Sequence, residues 1–280
     1  MPIQMTRRRT SLALAITPVL ALTLAASVAS AGTASPAWAS ASAAASRLRY
    51  VTICRPIGSM IVHGRNDSAY LLRNDNFARR AECIRNRNRW SNFAVTRSAA
   101  DSFGPESQAY PELQLGCAWN ACTPHSGLPR RVDRLRHPVT TWHISASTSG
   151  RWNAGYDIWF SRREHTSGQD RGAEIMIWLN TSFGRPAPQS ANVVWIRGFR
   201  YYFEHWVTHN ALTGASWNLV IFRRYNATNH VDRLRLLPFL HRAERARLLR
   251  PRWWLSSVDA GFEIWHGGRG LATKYYWAHI

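Results

Sequence analysis

Apolar and polar side chains alternate in many short runs along the chain, and this alternation predicts β-strands. Clusters of Gly, Asn, Ser and Pro separate the runs, as turns between strands require. The predicted strands are Tyr50 to Ile53, Tyr70 to Leu72, Asn92 to Thr96, Val139 to Ser145, Gly155 to Phe160, Glu174 to Leu179, Asn192 to Ile196, Tyr201 to Trp206, Trp217 to Arg223, Trp254 to Val258, Gly261 to Trp265 and Ala272 to Trp277. So many strands at this spacing favour an all-β protein, either a sandwich or a jelly roll.

One segment is predicted to be helical, from Pro238 to about Leu249. Proline is tolerated in the first turn of a helix, and arginines towards the end suit the negative pole of the helix dipole. The residues expected to face a sheet are Phe239, Leu240, Ala243 and Leu248. No repeat, heptad or linker interrupts the pattern, so residues 47–280 are expected to form one domain.

The N-terminus has the three-part pattern of a secretory signal peptide. Arg7, Arg8 and Arg9 precede an apolar stretch from Leu12 to about Ala29, and the small-residue sequence Ala37-Trp38-Ala39 follows. The pattern predicts cleavage after residue 39, a flexible remnant over 40–46 and a secreted, extracellular protein. Thr17 and Pro18 interrupt the apolar stretch, which argues against a stable membrane anchor.

The formal net charge is +20, and a single lysine, Lys274, accompanies 35 arginines. Such a bias is typical of a GC-rich bacterial genome. The arginines are scattered along the chain rather than gathered in one run, so we expect no nucleic-acid partner. A cationic protein that binds cell-wall polymer is the alternative to an enzyme.

Four cysteines follow the signal region, and an even number in an exported chain favours two disulfides. Three pairings are possible. The short step from Cys117 to Cys122 suits a local link, which leaves Cys54 with Cys83. Zinc is the alternative, but the C-x4-C spacing and the lack of a second tight pair disfavour it, so neither a metal nor a cofactor is expected.

Three predicted strands each place a carboxylate beside an indole on one face. The pairs are Asp157 with Trp159, Glu174 with Trp178, and Glu263 with Trp265. A lone carboxylate on the solvent face of a strand is ordinary, but three among large aromatics indicate a binding face. Sugar rings pack on aromatic faces while their hydroxyls bond to carboxylates, so this face suits a polysaccharide.

Cleavage of a glycosidic bond needs two carboxyl groups in different protonation states. Retaining enzymes hold the two about 5 to 5.5 Å apart, whereas inverting enzymes leave about 6.5 to 9.5 Å for a water. Neighbouring or next-nearest strands, about 4.8 Å apart, favour the shorter separation and therefore retention.

The sequence resembles glycoside hydrolase family 12, the jelly-roll endoglucanases and xyloglucanases. The motifs that carry the resemblance are AYPELQLGCAWNACT (109–123), YDIWF (156–160), EIMIWLN (174–180) and SSVDAGFEIWHGGRGL (256–271). The resemblance implies a sandwich of two antiparallel sheets with a concave substrate cleft and one helix on its outer face. It also implies the Cys54–Cys83 and Cys117–Cys122 disulfides.

By this resemblance Glu174 is the nucleophile, Glu263 the acid/base, and Asp157 the carboxyl that hydrogen-bonds the nucleophile. The residues expected to bind substrate are Asn74, Phe77, Trp159, Met176, Trp178, Trp206 and Trp265. The implied protein is a monomeric, secreted endo-β-1,4-glucanase that acts on β-glucan with retention.

Some segments depart from the family pattern. Phe77 stands where the family has a sugar-stacking Trp, and residues 184–189 match the family's loop over the cleft only loosely. These departures leave the preferred glucan open, so a xyloglucan-specific or mixed-linkage glucanase is the first alternative. A carbohydrate-binding protein without turnover is the alternative from another class.

Overall fold

Two packed β-sheets dominate the computed structural model, which describes residues 48–65, 68–146, 149–164, 171–184, 192–210 and 213–280. The predicted signal peptide and the remnant over 40–46 lie outside these residues. The strands are β1 (Tyr50–Ile53), β2 (Ser59–His63), β3 (Ala69–Arg73), β4 (Glu82–Arg87), β5 (Phe93–Ser98), β6 (Ala100–Asp101), β7 (Glu112–Ala118), β8 (Ala121–Cys122), β9 (Arg130–Arg131), β10 (Val139–Ser145), β11 (Gly150–Ser161), β12 (Ala173–Thr181), β13 (Asn192–Ile196), β14 (Phe199–His209), β15 (Ser216–Arg224), β16 (His230–Arg235), β17 (Trp254–Gly267) and β18 (Ala272–His279).

The smaller sheet has the order β1-β4-β5-β18-β10-β16. The larger sheet has the order β13-β14-β15-β12-β11-β17-β7-β3-β2, with β6 and β9 paired to β17 and β8 paired to β7. β12 and β15 run parallel, whereas the other named strand pairs within the described residues are antiparallel. The predicted all-β jelly roll is confirmed. The parallel pair is the exception to the antiparallel sheets that were expected.

The core lies between the sheets and is rich in aromatic rings. Trp142 of β10 packs on Tyr156 of β11 with 5.2 Å between ring centroids, and on Phe262 of β17 at 5.8 Å. All three side chains are fully buried. Because burying one large apolar side chain stabilises a fold by about 1.5–3 kcal/mol, these cross-sheet contacts hold β11 and β17 firmly in place. The two strands carry two of the three candidate carboxylates.

The helix α1 spans Leu237–Arg245, so its predicted end at Leu249 is wrong. Arg247 adopts a left-handed conformation with φ of 62°. Its N–H bonds to the carbonyl of Glu244, and the N–H of Leu248 bonds to the carbonyl of Ala243. This pair of bonds is a Schellman motif, which ends the helix four residues earlier than the apolar pattern suggested.

Helix α1 covers part of the core face of the larger sheet. Its Phe239 ring packs on Tyr201 of β14 at 5.1 Å and on Phe222 of β15 at 5.2 Å. Leu240 and Ala243 are also buried, as predicted, and Leu248 packs against the same core. No helix within the described residues is long and apolar enough to cross a membrane.

Both disulfides predicted from the cysteine spacing are confirmed. Cys54–Cys83 links the end of β1 to β4, and Cys117–Cys122 closes the turn between β7 and β8. Each disulfide therefore stabilises the connection between two strands rather than a binding site.

Candidate active site

The three predicted carboxylates lie on one face of the larger sheet, called here the open face because it points away from the smaller sheet. Asp157, Glu174 and Glu263 are carried by β11, β12 and β17, which are consecutive in the sheet. Their neighbours along the strands point into the core and are fully buried, namely Tyr156, Ile158, Ile175, Phe262 and Ile264. The alternation of each strand thus separates core from open face, as the sequence predicted.

The pairing register sets the three groups along β11. Glu174 pairs with Trp159, whereas Glu263 pairs with Asn153, six residues away along the same strand. Strand spacing alone therefore does not bring the glutamates together. The negative charge of Glu263 nevertheless raises the pKa of Glu174, so the two carboxyls lie within electrostatic range. A six-residue offset on a flat sheet would separate them by about 20 Å, so this approach requires a twisted and coiled sheet.

Glu174 is buried, and it accepts a hydrogen bond at 2.6 Å from the indole N–H of Trp217 on β15. Burial raises its pKa to about 8, while the bond from Trp217 opposes the rise. A hydrogen bond from Asp157 also lowers this pKa. Burial thus favours the neutral acid, and two donors favour the carboxylate.

Asp157 is buried on β11, where it pairs with Met176. Its Oδ2 accepts a bond at 3.0 Å from the indole N–H of Trp159, and its Oδ1 is buried without a donor among the described residues. Burial raises the pKa of Asp157 well above its usual range, and the charge of Glu174 raises it further. Both effects favour the protonated form of Asp157, in which the carboxyl can donate a hydrogen bond to Glu174.

Glu263 is held from two sides. The amide of Asn153 on β11 donates to its Oε2, and the hydroxyl of Ser107 donates to its Oε1 at 3.4 Å. Burial raises the pKa of Glu263 to about 7, although both donors favour the ionised form. A carboxyl with this pKa can both give and take a proton near neutral pH.

Five predicted substrate-binding side chains lie along the open face, namely Trp159, Met176, Trp178, Trp206 and Trp265. Trp206 of β14 is 48% exposed, and it pairs with Leu219, which in turn pairs with Glu174. Met176 is buried opposite Asp157. The structure thus extends an aromatic surface from the carboxylates across to β14.

The remaining two predicted binding residues differ from each other. Phe77 is 50% exposed and accessible to a ligand. Asn74 is fully buried, and its amide donates to the carbonyl of Arg55 at 3.1 Å. Its side chain supports the loop around the first disulfide and is closed to solvent. The resemblance that suggested a sugar contact could not reveal this burial.

Several residues of the site were missed by the sequence analysis. Trp217, Asn153 and Ser107 bind the two glutamates directly. A second acidic group lies beside them, where Asp259 pairs with Asp157 and with Gln114. Asp259 could have been found, because it continues the two-residue period of Glu263 along β17.

Arg73 is a buried cation close to Asp259, and its positive charge offsets the negative charge of the neighbouring carboxylates. Its guanidinium forms ion pairs at 3.1 Å with Glu112 and with Asp75, and it donates to Oε1 of Gln114 at 3.1 Å. Burial raises the pKa of Glu112 and of Asp259 well above the usual range. No group of three or more His, Cys, Asp or Glu within the described residues is arranged to hold a metal ion.

Tyr110 crosses the open face above Gly261. Its hydroxyl donates to the carbonyl of Gly155 at 2.9 Å. A Cβ at Gly261 would lie 3.0 Å from the Tyr110 ring and 2.5 Å from the carbonyl oxygen of Pro111. Glycine is required here because the chain of residues 110–111 passes directly over β17.

The arrangement combines two carboxyls, whose pKa values burial raises to about 8 and about 7, with a third whose pKa is raised well above its usual range, on a face lined with indoles. Residues 83–280 match the family model described as glycosyl hydrolase family 12. The chain therefore belongs to this family.

Solved structures and a curated relative are also similar. The endoglucanase Cel12A from Rhodothermus marinus is 36% identical with a TM-score of 0.72, over 81% of this chain and 97% of that one. A metagenome-derived family 12 endoglucanase is 34% identical with a TM-score of 0.73, over 82% and 97% of the two chains. Endoglucanase S from Pectobacterium parmentieri is 30% identical over 61% of this chain, which spans 64% of that relative's length.

Proposed function

We propose that the protein is a secreted, endo-acting β-1,4-glucan hydrolase that works with retention of configuration. The observation that carries the proposal is the placement of Glu174 and Glu263 on one aromatic face, within electrostatic range of each other. Similar proteins bear the name endoglucanase, which supports a glucan as substrate.

In the first step Glu263 acts as general acid. Its proton passes to the glycosidic oxygen while the bond from that oxygen to the anomeric carbon breaks. A carboxylate oxygen of Glu174 attacks the same carbon and forms a covalent glycosyl-enzyme. Because burial raises the pKa of Glu263 to about 7, the proton is available near neutral pH.

In the second step Glu263 acts as general base. It now carries a negative charge and takes a proton from water, and the water oxygen attacks the anomeric carbon. The bond to Glu174 breaks, which restores the carboxylate and releases the sugar. The covalent intermediate removes the charge of Glu174, so the pKa of Glu263 falls and proton loss becomes easier at this stage.

Asp157 and Trp217 have a shared role in this scheme. Both donate hydrogen bonds that favour the ionised form of Glu174, against the burial that disfavours it. We infer that they favour the charged form of the nucleophile. In its neutral form, Asp157 does this without adding a second negative charge beside the nucleophile. The pKa of Glu174, about 8, still lies above the value of about 7 for Glu263, so the active form, with Glu174 charged and Glu263 protonated, is the minor of the two singly protonated forms in the free protein.

Phe183, Trp178 and Trp265 form one aromatic cluster on the Glu263 side of the sheet, with ring centroids 4.9 Å apart for Phe183 and Trp265. This cluster supports sugar stacking beside the reacting bond. Export by a signal peptide over 1–39, the domain over 47–280 and a monomeric state remain part of the proposal.

The experiment measures reducing ends released from carboxymethylcellulose, barley β-glucan and xyloglucan by the wild-type protein and by Glu174→Gln. We expect release from at least one β-1,4-glucan and its loss in the variant. Preference for xyloglucan would favour the first alternative, a xyloglucan-specific enzyme. Binding to the polymers without release of reducing ends would contradict the proposal and indicate a binding protein.

A further inference from the structure

A pocket of about 280 Å³ opens on the Glu263 side of the open face. Trp178, Phe183 and Trp265 form its aromatic walls, and Arg151 and Arg223 lie at its edge. The strand register places each arginine beside one of the aromatic walls. Arg223 pairs with Trp178, and Arg151 pairs with His266, the residue after Trp265. Two guanidinium groups therefore flank a site shaped for a sugar ring.

The aromatic walls are fixed by their own contacts. Trp178 stacks on Phe183 with 6.1 Å between centroids and an angle of 22°, and Phe183 meets Trp265 edge-on at 4.9 Å. The indole N–H of Trp265 donates to the carbonyl of Pro105 at 2.8 Å. The pocket is thus a preformed site rather than a gap between mobile side chains.

Both arginines contact only neutral groups in the described structure. Arg151 donates to the carbonyls of Phe103 and Gly104 at 2.6 and 3.1 Å, and its guanidinium lies 5.0 Å from the centre of the Phe183 ring. Arg223 donates to the carbonyl of Gly184 and lies 5.6 Å from the Trp178 ring. Neither forms an ion pair with a carboxylate of the described residues.

The charges around the pocket leave this positive charge largely uncompensated. Burial lowers the pKa of Arg223, and the negative charge of Glu204 on β14 only partly opposes this. Burial raises the pKa of Glu263, two residues before Trp265, to about 7, which weakens its negative charge near neutral pH. Partly buried guanidinium groups that have only a partial counter-charge are costly, which favours an anionic ligand.

We propose that this pocket binds a carboxylate carried on a glucan, as in a glucuronate residue or a carboxymethyl substituent. The sugar ring stacks on the aromatic walls while its carboxylate accepts charge-assisted hydrogen bonds from Arg151 and Arg223. The inference rests on the proposed glucan hydrolase function and adds a preference for acidic over neutral polymer.

The test compares two soluble cellulose ethers that differ in charge, carboxymethylcellulose and hydroxyethylcellulose. For each protein we take the ratio of kcat/KM on the acidic polymer to kcat/KM on the neutral one. Arg223→Gln and Arg151→Gln remove one charge each. Arg224→Gln is the matched control, because it removes the same charge from the next residue, on the opposite face of β15, where Arg224 covers Phe199.

We expect the ratio to fall about tenfold in Arg223→Gln and in Arg151→Gln, and to stay within twofold of wild type in Arg224→Gln. Arg223→Lys retains the charge and should keep most of the ratio, which separates charge from packing. An unchanged ratio in both pocket variants, or an equal fall in Arg224→Gln, would overturn the inference while the hydrolase function stands. If neither polymer is hydrolysed, the proposed function fails and the inference falls with it.

Discussion

The indole N–H of Trp217 donates a 2.6 Å hydrogen bond to Glu174 across the parallel pair β12 and β15. Trp217 lies at the start of β15, one residue before Asn218, which pairs with Ala173. The bond links the candidate nucleophile to β15, which does not pair with β11 or β17, the strands that carry the other two carboxylates. It is also the only direct donor to Glu174 among the described residues apart from Asp157.

Trp217→Phe should raise the pKa of Glu174, because the lost N–H favours the carboxylate while burial continues to favour the acid. A hydrogen bond to a charged group contributes about 1.5–3 kcal/mol, so the acidic limb of kcat/KM should move up by about one to two pH units. A pH profile of kcat/KM on a soluble glucan measures the shift.

Trp178→Phe is the matched control for this change. The indole N–H of Trp178 is buried without an acceptor among the described residues, so its loss should leave the acidic limb in place even where KM rises. An equal shift in both variants would mean that Trp217 acts through packing rather than through its bond to Glu174.

Asp157 is expected to act as a neutral donor, since burial and Glu174 both raise its pKa. Asp157→Asn keeps an N–H donor of similar shape and should retain at least a tenth of kcat. Asp157→Ala loses the donor and should fall by a further order of magnitude or more, about the effect of one hydrogen bond to a charged group. Equal losses in the two variants, measured as kcat on a soluble glucan, would indicate that the charged form is required.

The pH dependence follows from the raised pKa values of about 8 for Glu174 and about 7 for Glu263, against an ordinary value of 4.5. The two carboxyls titrate as a pair, and the active form holds one proton between them. Adding a second proton at low pH removes the nucleophile, and losing the last proton at high pH removes the acid. The profile should therefore be bell-shaped with its optimum near neutral pH.

The variant Glu263→Gln tests which carboxyl causes each limb of the bell-shaped pH profile. With an activated aryl cellobioside, whose leaving group needs no acid, the variant should lose the high-pH limb and keep the low-pH limb. A high-pH limb that persists in the variant would contradict the assignment of Glu263 as the acid. A wild-type acidic midpoint near pH 4 would contradict the raised pKa of the nucleophile Glu174.

Gly261→Ala should destabilise the fold, because its Cβ would lie 2.5 Å from the carbonyl oxygen of Pro111. Overpacking of this kind costs about 1–3 kcal/mol, or roughly 3–10 °C in Tm. Gly184→Ala is the control, since no heavy atom lies within 4 Å of its added Cβ. Thermal unfolding of both variants measures the difference, and equal Tm values would show that the residue 110–111 segment moves aside.

Local alternation predicted most of the strands and the faces of the three carboxylates. The strands Tyr50–Ile53, Val139–Ser145 and Asn192–Ile196 have the predicted bounds. β7 was missed although its first four residues, ELQL, alternate polar and apolar; the structure buries all of Glu112–Ala118. The predicted break between Val258 and Gly261 is wrong, since Trp254–Gly267 is one strand in which Asp259 is buried.

The rest of the site depends on contacts between distant parts of the chain. Trp217 reaches Glu174 only through a parallel pairing, which the sequence of one strand does not reveal. Ser107 is 156 residues from Glu263 and belongs to a loop that no period predicts. Burial is equally hard to predict from the sequence. Asn74 was expected to bind substrate by family resemblance, and the structure buries it fully.

The most direct test of the central claim is covalent trapping. The protein is incubated with an activated 2-deoxy-2-fluoro-β-cellobioside, which slows breakdown of a glycosyl-enzyme, and peptides are mapped by mass spectrometry. The account predicts one fluorocellobiosyl adduct on Glu174 and none in Glu174→Gln. Hydrolysis of glucan by a protein that forms no adduct, or an adduct on another residue, would contradict it.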